Sequence, residues 1–285
     1  MQEDPVARLL MMEGNTLARQ REASALGVRS ASGVYIDAIR AHFPDMAIDV
    51  IHAADRGQHL KPGMAFTDYD GLVIGGSGLH AYDTSFEVTN QIELLKAFAE
   101  TGRPILGSCW GLQIAVIAAG GTVTRNPNGR EIGFARKILL TEEGRAHPYF
   151  AGKPTTFDAP CIHYDEITQL PANATLLCTN SHSAVQGAVV PVGRSQVWAV
   201  QYHPEFDLAQ ISMLIALYGA DMIEQGFFAD ENDRMQYKAK IDALAANPGD
   251  KALAWQLALD SDILDDGIRR AEIINWMRTC ILRQA

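Results

Sequence analysis

The chain has 285 residues and a mass of 31.1 kDa, a length that favours one or two domains. Apolar residues make up 47% of it and charged residues 20%, which excludes global disorder because such a composition can bury a sizeable core. The net charge of −10 argues against nucleic acid or an anionic membrane as the main partner, because both attract basic surfaces.

Targeting and metal-binding signals are absent from the sequence pattern. Residues 1–5 lack the basic and then apolar segments of a secretory signal peptide. The longest apolar run, residues 114–119, is much shorter than the ~20 residues that cross a bilayer. The 4 cysteines form no CxxC pair and no Cys/His cluster, so neither a disulfide framework nor a zinc site is predicted. We expect a soluble cytoplasmic protein without metal or cofactor.

The first two-thirds of the chain alternate between strand-like and helix-like segments. Short apolar runs predict strands at residues 6–12, 46–51, 71–74 and 104–107. Apolar residues at helical spacing predict helices at residues 31–43, 86–98 and 112–119. This alternation predicts an α/β fold with a doubly wound, mostly parallel central sheet and helices on both faces.

The pattern changes from residue 134 onward. Stretches rich in β-formers, separated by Gly, Pro and Asn turns, predict an antiparallel or mixed extension of the sheet at residues 135–140, 175–179, 184–190 and 196–201. A helix predicted over residues 206–225 closes a first domain, which we assign to residues 1–225.

Residues 226–285 predict a C-terminal helical extension. It has two or three helices, with breaks at residues 247–250 and 260–262. Ile273, Met277 and Ile281 repeat at helical spacing and form one apolar stripe. Such a stripe suits packing on its own domain, and it also suits a homodimer interface.

The most informative stretch is residues 107–113, where an apolar strand ends in Gly-x-Cys-x-Gly and a hydrophobic helix follows at once. This is the pattern of a nucleophile elbow with Cys109 as the nucleophile. The sharp turn needs small residues on both sides, and the helix N-terminus favours the thiolate. The backbone N–H of Trp110 then becomes available to a developing oxyanion. A buried structural cysteine is the alternative for this residue taken alone.

A thiol nucleophile needs a base, and the base needs a group that orients it. His203 and Glu205 follow a predicted strand and are two residues apart, so their side chains project to the same side of an extended segment. The carboxylate can therefore hold the imidazole and stabilise its cation. A solvated histidine and a helix-start glutamate are the alternative for these two residues alone.

A glycine-rich loop, Gly75-Gly76-Ser77-Gly78, follows another apolar strand. Glycine lets the backbone approach a ligand closely, so this loop can supply a second oxyanion donor. The loop can equally bind a phosphate or form a turn without any ligand. Its glycine spacing matches neither dinucleotide-binding nor P-loop patterns, which argues against phosphate binding.

Taken together, these segments resemble the class I (triad) glutamine amidotransferase family, in particular the glutaminase domain of GMP synthetase. Residues 107–113 resemble its G-x-C-x-G-x-Q elbow, and residues 202–205 its H-P-E ending. Residues 75–77 resemble its G-G-P loop, with Ser77 in place of proline. Two further segments, residues 130–133 and 163–167, resemble R-E-x-G and H-x-D-x-V. The resemblance covers roughly residues 6–220.

The resemblance implies a role for each matching residue. Cys109 attacks the side-chain amide of glutamine, forms a γ-glutamyl thioester and releases ammonia, while His203 moves protons and Glu205 orients it. The N–H groups of Gly76 and Trp110 hold the oxyanion. The implied substrate-binding residues are Gly75, Gln113, His163 and Asp165.

In the family, such a domain feeds ammonia to an ATP-dependent synthetase. No P-loop or ATP-pyrophosphatase motif follows residue 220, and the remaining stretch is too short for that domain. The sequence therefore predicts a free-standing amidotransferase or glutaminase that serves a separate synthetase. The alternatives are a γ-glutamyl hydrolase or peptidase, which needs no ammonia acceptor, and a non-catalytic binding protein that keeps the fold.

Overall fold

The computed structural model describes residues 7–283. Residues 1–6, with the stretch that argues against a signal peptide and the first residue of the first predicted strand, lie outside the described residues, as do residues 284–285. The strands are β1 (Arg8–Met12), β2 (Ala47–Ile51), β3 (Gly71–Ile74), β4 (Ile105–Ser108), β5 (Thr122–Arg125), β6 (Glu131–Leu140), β7 (Thr156–His163), β8 (Asp165–Gln169), β9 (Thr175–Thr179), β10 (Gly187–Val192) and β11 (Ser195–Val200).

Helices alternate with the early strands and fill the C-terminal part of the chain. They are α1 (Leu17–Ala25), α2 (Ala31–Arg40), α3 (Phe86–Ala99), α4 (Trp110–Ala118), α5 (Glu142–Ala146), α6 (Leu208–Leu217), α7 (Gly219–Glu224), α8 (Glu231–Ala246), α9 (Lys251–Leu257), α10 (Ser261–Leu264), α11 (Asp266–Arg269) and α12 (Ala271–Trp276). A π-helical turn, Met277–Ile281, follows α12.

Nine of the strands form one sheet in the order β2-β1-β3-β4-β11-β10-β9-β6-β7. The first five neighbours in this order run parallel, and the last four continue the sheet as antiparallel pairs. The remaining strands, β5 and β8, pair separately as an antiparallel ribbon. Because β1, β3, β4 and β11 are parallel, their carboxyl ends meet at one edge, where ligands bind in open α/β sheets.

Successive residues of the central strands point to opposite faces, and each face has its own core. On one face, Leu72 and Ile105 pack with residues of α3 and α4. On the other face, Val73 and Leu106 pack with residues of α2 and α12. Helix α4 is buried along residues 110–116, because it is apolar on all sides and lies over the middle of the sheet.

The predicted doubly wound α/β fold with a helical C-terminal region is confirmed. Strands β2, β3 and β4 lie within one residue of their predicted bounds. The alternation missed α1, because that helix has no buried residue and therefore no apolar face that a periodic pattern could detect.

Residues 196–201, expected in an antiparallel or mixed extension, form β11, which pairs in parallel with β4 and antiparallel with β10, so the pairing is mixed. Two predictions in the second half need correction. The helix predicted over residues 206–225 is two helices that meet at Tyr218. The C-terminal extension contains five helices, α8 to α12, rather than two or three, because aspartates at positions such as 250 and 265 cap new helix starts.

The C-terminal extension packs on the α/β part of the chain through two regions. Ile273, Trp276 and Met277 are buried against the β3–β4 face. Helices α8, α9 and α10 bury their apolar residues against α6 and β6 in a third cluster. Over residues 7–283, no helix is both long and apolar enough to cross a membrane.

Candidate active site

Cys109 lies between β4 and α4 in a strained backbone conformation, with φ 49° and ψ −95°. Positive φ is uncommon for a residue with a side chain, and such strain persists where the surrounding structure enforces it. The backbone N–H of Cys109 donates to the Val200 carbonyl oxygen at 2.8 Å, which ties the turn to the neighbouring strand β11. The strand-to-helix turn predicted from the sequence is therefore formed.

The flanking glycines explain why the turn can be so sharp. A Cβ on Gly107 would lie 2.9 Å from the carbonyl carbon of Gly111. A Cβ on Gly111 would lie 2.8 Å from the carbonyl oxygen of Ile74, on strand β3. Both distances are shorter than real Cβ contacts, so only glycine lets α4 start this close to β3 and β4.

His203 and Glu205 follow β11 and form a buried pair. The Nδ1 atom of His203 lies 2.6 Å from Oε1 of Glu205, and both side chains are almost fully buried. The imidazole stacks on the ring of Phe206 with 4.0 Å between centroids and 4° between planes. The Ser108 hydroxyl donates to the same Glu205 oxygen at 2.9 Å. With Nδ1 committed to Glu205, Nε2 is the nitrogen that can exchange a proton with Cys109.

The electrostatics of this pair favour a charged imidazole. Burial opposes protonation of His203, but the negative charge of Glu205, the nearby Cys109 and the hydrogen bond to Glu205 outweigh it and raise the pKa of His203 to about 10. A protonated imidazole beside a thiol favours a thiolate–imidazolium pair, the reactive form of a cysteine nucleophile.

Cys109 and His203 open into a cavity of about 820 Å³. The carboxyl end of β3 forms the wall nearest to the imidazole, where a Cβ on Gly76 would lie only 2.7 Å from Cε1 of His203. The cavity also contacts α1, α2, α6, α7 and the β7–β8 turn. Its size is typical of sites that enclose a small molecule.

The structure brings Gly76 to the cavity wall but leaves Gly75 behind it, facing Met11, Ala31 and Tyr35. Trp110 is the first residue of α4, where a backbone N–H has no acceptor within the helix. Its indole is buried and donates to Oε1 of Gln91 at 2.8 Å, so only the backbone of Trp110 is available to the site.

The other predicted substrate contacts also line the cavity, namely Gln113, His163 and Asp165. The Nε2 atom of Gln113 lies 3.4 Å from Oε1 of Gln201. His163 is held at both nitrogens, by Oε2 of Glu131 at 2.8 Å and by the carbonyl oxygen of Asp165 at 3.0 Å. These two bonds fix the orientation of the ring, so His163 is a rigid part of the wall.

Glu131 is the centre of a buried polar network behind that wall. It accepts hydrogen bonds from His163, Asn180 and Gln186 at 2.7–2.8 Å. Burial disfavours its carboxylate, but these hydrogen bonds outweigh burial and lower the pKa of Glu131. The charge therefore stays on the carboxylate that fixes the β6–β7 part of the site.

Two contacts of the site were not singled out from the sequence. Ser108 orients Glu205, and His80 pairs with the Asp165 carboxylate at 2.7 Å through Nδ1. Ser108 has one usable signal, because it precedes the nucleophile at the end of a strand. His80 has none, since only the fold brings its loop to the β7–β8 turn.

Ser77, which departs from the family pattern, has a local function. Its hydroxyl donates to the carbonyl oxygen of Gly14 at 2.8 Å and accepts the N–H of Leu79 at 3.2 Å. These bonds tie the glycine-rich loop to the carboxyl end of β1. Among residues 7–283, no group of three or more His, Cys, Asp or Glu side chains is arranged to hold a metal ion.

Comparison with known proteins identifies the family of this chain. The family model for class-I glutamine amidotransferases matches residues 35–216, and the chain belongs to that family. A glutamine amidotransferase structure from Thermotoga maritima superimposes with a TM-score of 0.66 at 18% identity, covering 95% of this chain and 97% of the other. That likeness concerns the fold.

Two curated relatives differ in how much of their length is matched. A γ-glutamyl-L-1-hydroxyisopropylamide hydrolase from Pseudomonas sp. is 28% identical, over 98% of this chain and 94% of the relative. A glutamine-hydrolysing GMP synthase from Aquifex aeolicus is 33% identical, over 39% of this chain and 20% of the relative. The chain is therefore similar to the hydrolase over nearly the full length of both proteins.

Proposed function

We propose that this protein is a free-standing hydrolase of γ-glutamyl amides that uses Cys109, His203 and Glu205. The observation that carries the proposal is the strained Cys109 at the end of β4, in the same cavity as a histidine held 2.6 Å from a buried carboxylate. These are a nucleophile, a base and the group that orients the base.

In the first half of the reaction, Sγ of Cys109 attacks the γ-carbonyl carbon of the substrate. The negative charge that develops on the carbonyl oxygen is stabilised by the backbone N–H groups of Gly76 and Trp110. His203 donates its proton to the leaving nitrogen as the C–N bond breaks. An amine departs, and a γ-glutamyl thioester remains on Cys109.

In the second half, a water molecule attacks the thioester carbonyl. His203 accepts a proton from that water, and the C–S bond breaks to release glutamate and restore the pair of thiolate and protonated His203. Glu205 holds Nδ1 of His203 throughout and stabilises its imidazolium. This role fits its burial and its two hydrogen bonds, to His203 and to Ser108.

The charges and size of the cavity support a γ-glutamyl amide as the substrate. Its wall carries cationic side chains, such as Arg125 and Arg130, and acidic ones, such as Asp165 and Asp221. A γ-glutamyl head group presents an ammonium and a carboxylate, which such a wall complements. A cavity of about 820 Å³ leaves space for a substituent on the amide nitrogen beyond what glutamine needs.

The extent of the matches also favours a hydrolase that acts alone. The γ-glutamyl amide hydrolase from Pseudomonas sp. is matched over 94% of its length, including the region of the C-terminal extension. The matched GMP synthase shares only 20% of its length with this chain. A glutaminase that supplies ammonia to a separate synthetase is the second candidate, favoured by that local match.

The test is hydrolysis by the wild type, by Cys109→Ala and by Cys178→Ala. Cys178 is also buried but does not line the cavity, so its variant controls for the loss of a thiol. The substrates are glutamine, γ-glutamyl isopropylamide, γ-glutamyl alanine and α-glutamyl alanine. We expect γ-linked substituted amides to exceed glutamine in kcat/KM by about tenfold or more, because the substituent adds contacts in the cavity. Cys109→Ala abolishes turnover, and Cys178→Ala retains it.

Three other outcomes would contradict the proposed γ-glutamyl amide hydrolase. Ammonia release from glutamine that exceeds amine release from every substituted amide supports the synthetase-linked glutaminase. Cleavage of α-glutamyl alanine at a similar rate contradicts γ-glutamyl specificity. A folded wild type that turns over no substrate and forms no thioester contradicts both enzymes and supports a binding protein.

A further inference from the structure

A fully buried charged cluster joins the C-terminal extension to the segment that carries His203. Nζ of Lys153 lies 2.9 Å from Oε1 of Glu272, and both side chains have no exposed surface. The Tyr202 hydroxyl donates to the same Glu272 oxygen. Glu272 belongs to α12, whereas Tyr202 directly precedes His203 in the chain.

Tyr202 is held from several sides. Its ring packs edge-on against Phe157 with 5.8 Å between centroids, and the Lys153 ammonium lies 4.3 Å from the centroid of Phe157. The next residue, His203, donates its backbone N–H to the carbonyl oxygen of Pro160 at 2.8 Å. The side chains of Tyr202 and His203 thus leave the backbone on opposite sides, one into the core with α12 and the other into the cavity.

Helix α12 is also fixed to the loop that carries Lys153. The side-chain amide of Asn275 donates to the backbone carbonyls of Tyr149 and Ala151 at 3.1 and 2.9 Å. Moving α12 would therefore move Glu272 together with the loop that carries Lys153. Burying an ion pair is costly, and well-packed apolar residues often replace one without loss of stability, so stability alone does not account for this cluster.

We propose that Glu272 is a positioning residue, through which the C-terminal extension fixes Tyr202 and thereby sets the place of His203 relative to Cys109. This inference rests on the proposed function. Displacing a catalytic group by about 1 Å costs on the order of 100-fold in rate, so a contact one residue away from His203 is enough to matter. The extension then supports the reacting groups without touching the substrate.

The test compares Tyr202→Phe with Tyr149→Phe. The first removes only the hydroxyl bound to Glu272 and leaves the Lys153–Glu272 pair in place. The second removes a buried hydroxyl that has no hydrogen-bond partner among the described residues. We expect Tyr202→Phe to lower kcat roughly tenfold with KM within about twofold of the wild type, and Tyr149→Phe to leave both unchanged.

A double variant, Lys153→Met with Glu272→Leu, removes the charges together and avoids leaving one unpaired. We expect it to lower kcat as much as Tyr202→Phe does. Adding Tyr202→Phe to the double variant should lower kcat no further, because all three substitutions remove the same contact, the one between Tyr202 and Glu272.

The rate at which iodoacetamide alkylates Cys109 is a second readout, and it does not depend on the substrate. Mass spectrometry of the peptide that contains Cys109 measures this rate. We expect Tyr202→Phe to slow this alkylation, because the imidazolium that stabilises the thiolate is displaced. Slower alkylation combined with a wild type that hydrolyses nothing would reject the proposed function and retain the positioning role. Unchanged kcat and alkylation in Tyr202→Phe, with only a lower Tm, would overturn the positioning role.

Discussion

At the scale of single residues, the proposed chemistry depends on how Glu205 controls the charge of His203. The pKa of His203 is raised to about 10, because the charge of Glu205, the nearby Cys109 and the hydrogen bond to Glu205 outweigh burial. An unfolded histidine has a pKa of about 6.5. The stability that this ion pair contributes is therefore complete below about pH 6.5 and is lost as the pH rises through about 10.

The same shift predicts a pH profile. We expect kcat/KM of the wild type to fall on the basic side as His203 loses its proton near pH 10, because the leaving amine then has no acid. Glu205→Gln removes the opposing charge, so burial lowers the pKa of His203 and the basic limb moves down by about 1–3 pH units. Asp207→Asn is the control, since Asp207 pairs with Arg29 at 2.6 Å instead. An unmoved limb in Glu205→Gln contradicts the assignment.

Ser108 allows a second test at this scale. Its hydroxyl donates to Oε1 of Glu205 at 2.9 Å, so Ser108→Ala frees the carboxylate that orients His203. We expect kcat/KM to fall about tenfold, equivalent to about 1.4 kcal/mol. Ser195→Ala removes another strand hydroxyl, which donates to the Arg103 carbonyl at 2.6 Å at the opposite end of β11. Urea unfolding of both variants gives their stability. If both variants lose kcat/KM equally, the loss reflects lower stability of the fold and not a specific role of Ser108.

At the scale of elements, the turn between β4 and α4 is the feature on which the site depends. Gly111→Ala would place a Cβ 2.8 Å from the carbonyl oxygen of Ile74, and backbone cannot yield as a flexible side chain can. We expect the free energy of unfolding to fall by about 1–3 kcal/mol, with loss of activity as α4 shifts away from β3.

Urea unfolding measures this loss against a matched control. Gly249→Ala adds the same methyl group where the nearest atom, Oδ1 of Asn247, is 3.6 Å away. We expect that variant to stay within about 0.5 kcal/mol of the wild type. If Gly111→Ala is as stable as Gly249→Ala, the turn has room for a Cβ at position 111 and the prediction is wrong.

The elements also mark the limit of sequence-based prediction. Strands β2, β3 and β4 were predictable because each is a short apolar run between turn residues. The direction of β11 was not, because a strand that runs parallel to β4 has the same side-chain period as an antiparallel one. That direction matters, since it brings the end of β11, and hence His203, to the edge where Cys109 lies.

At the scale of the whole molecule, the C-terminal extension contributes to the core beneath the sheet. Trp276 is fully buried, and its ring would lie 2.9 Å from a Cβ added to Gly71 of β3. We expect Trp276→Ala to lower the free energy of unfolding by about 3–5 kcal/mol, because a large cavity would open next to the sheet.

The extension supplies its own control for this prediction. Trp255, in α9, is 82% exposed. Trp255→Ala should change the free energy of unfolding by no more than about 0.5 kcal/mol, as is usual for exposed sites. Urea unfolding of both variants gives the comparison, and equal losses would contradict the packing of α12 on the β3–β4 face.

The sequence by itself determined the local features: the elbow around Cys109, the pairing of His203 with Glu205, and the glycine-rich loop at Gly76. Each depends on neighbours in the chain, so residue type and spacing were sufficient. The segment of His203 and Glu205 is a turn and not the predicted extended segment, because the N–H of Phe206 bonds the carbonyl oxygen of His203 at 3.1 Å. The tertiary structure alone decided that Ser108 meets Glu205 and that Tyr202 meets Glu272. Such contacts follow from strand order and register, for example Val200 beside Ser108, which depend on packing between distant segments.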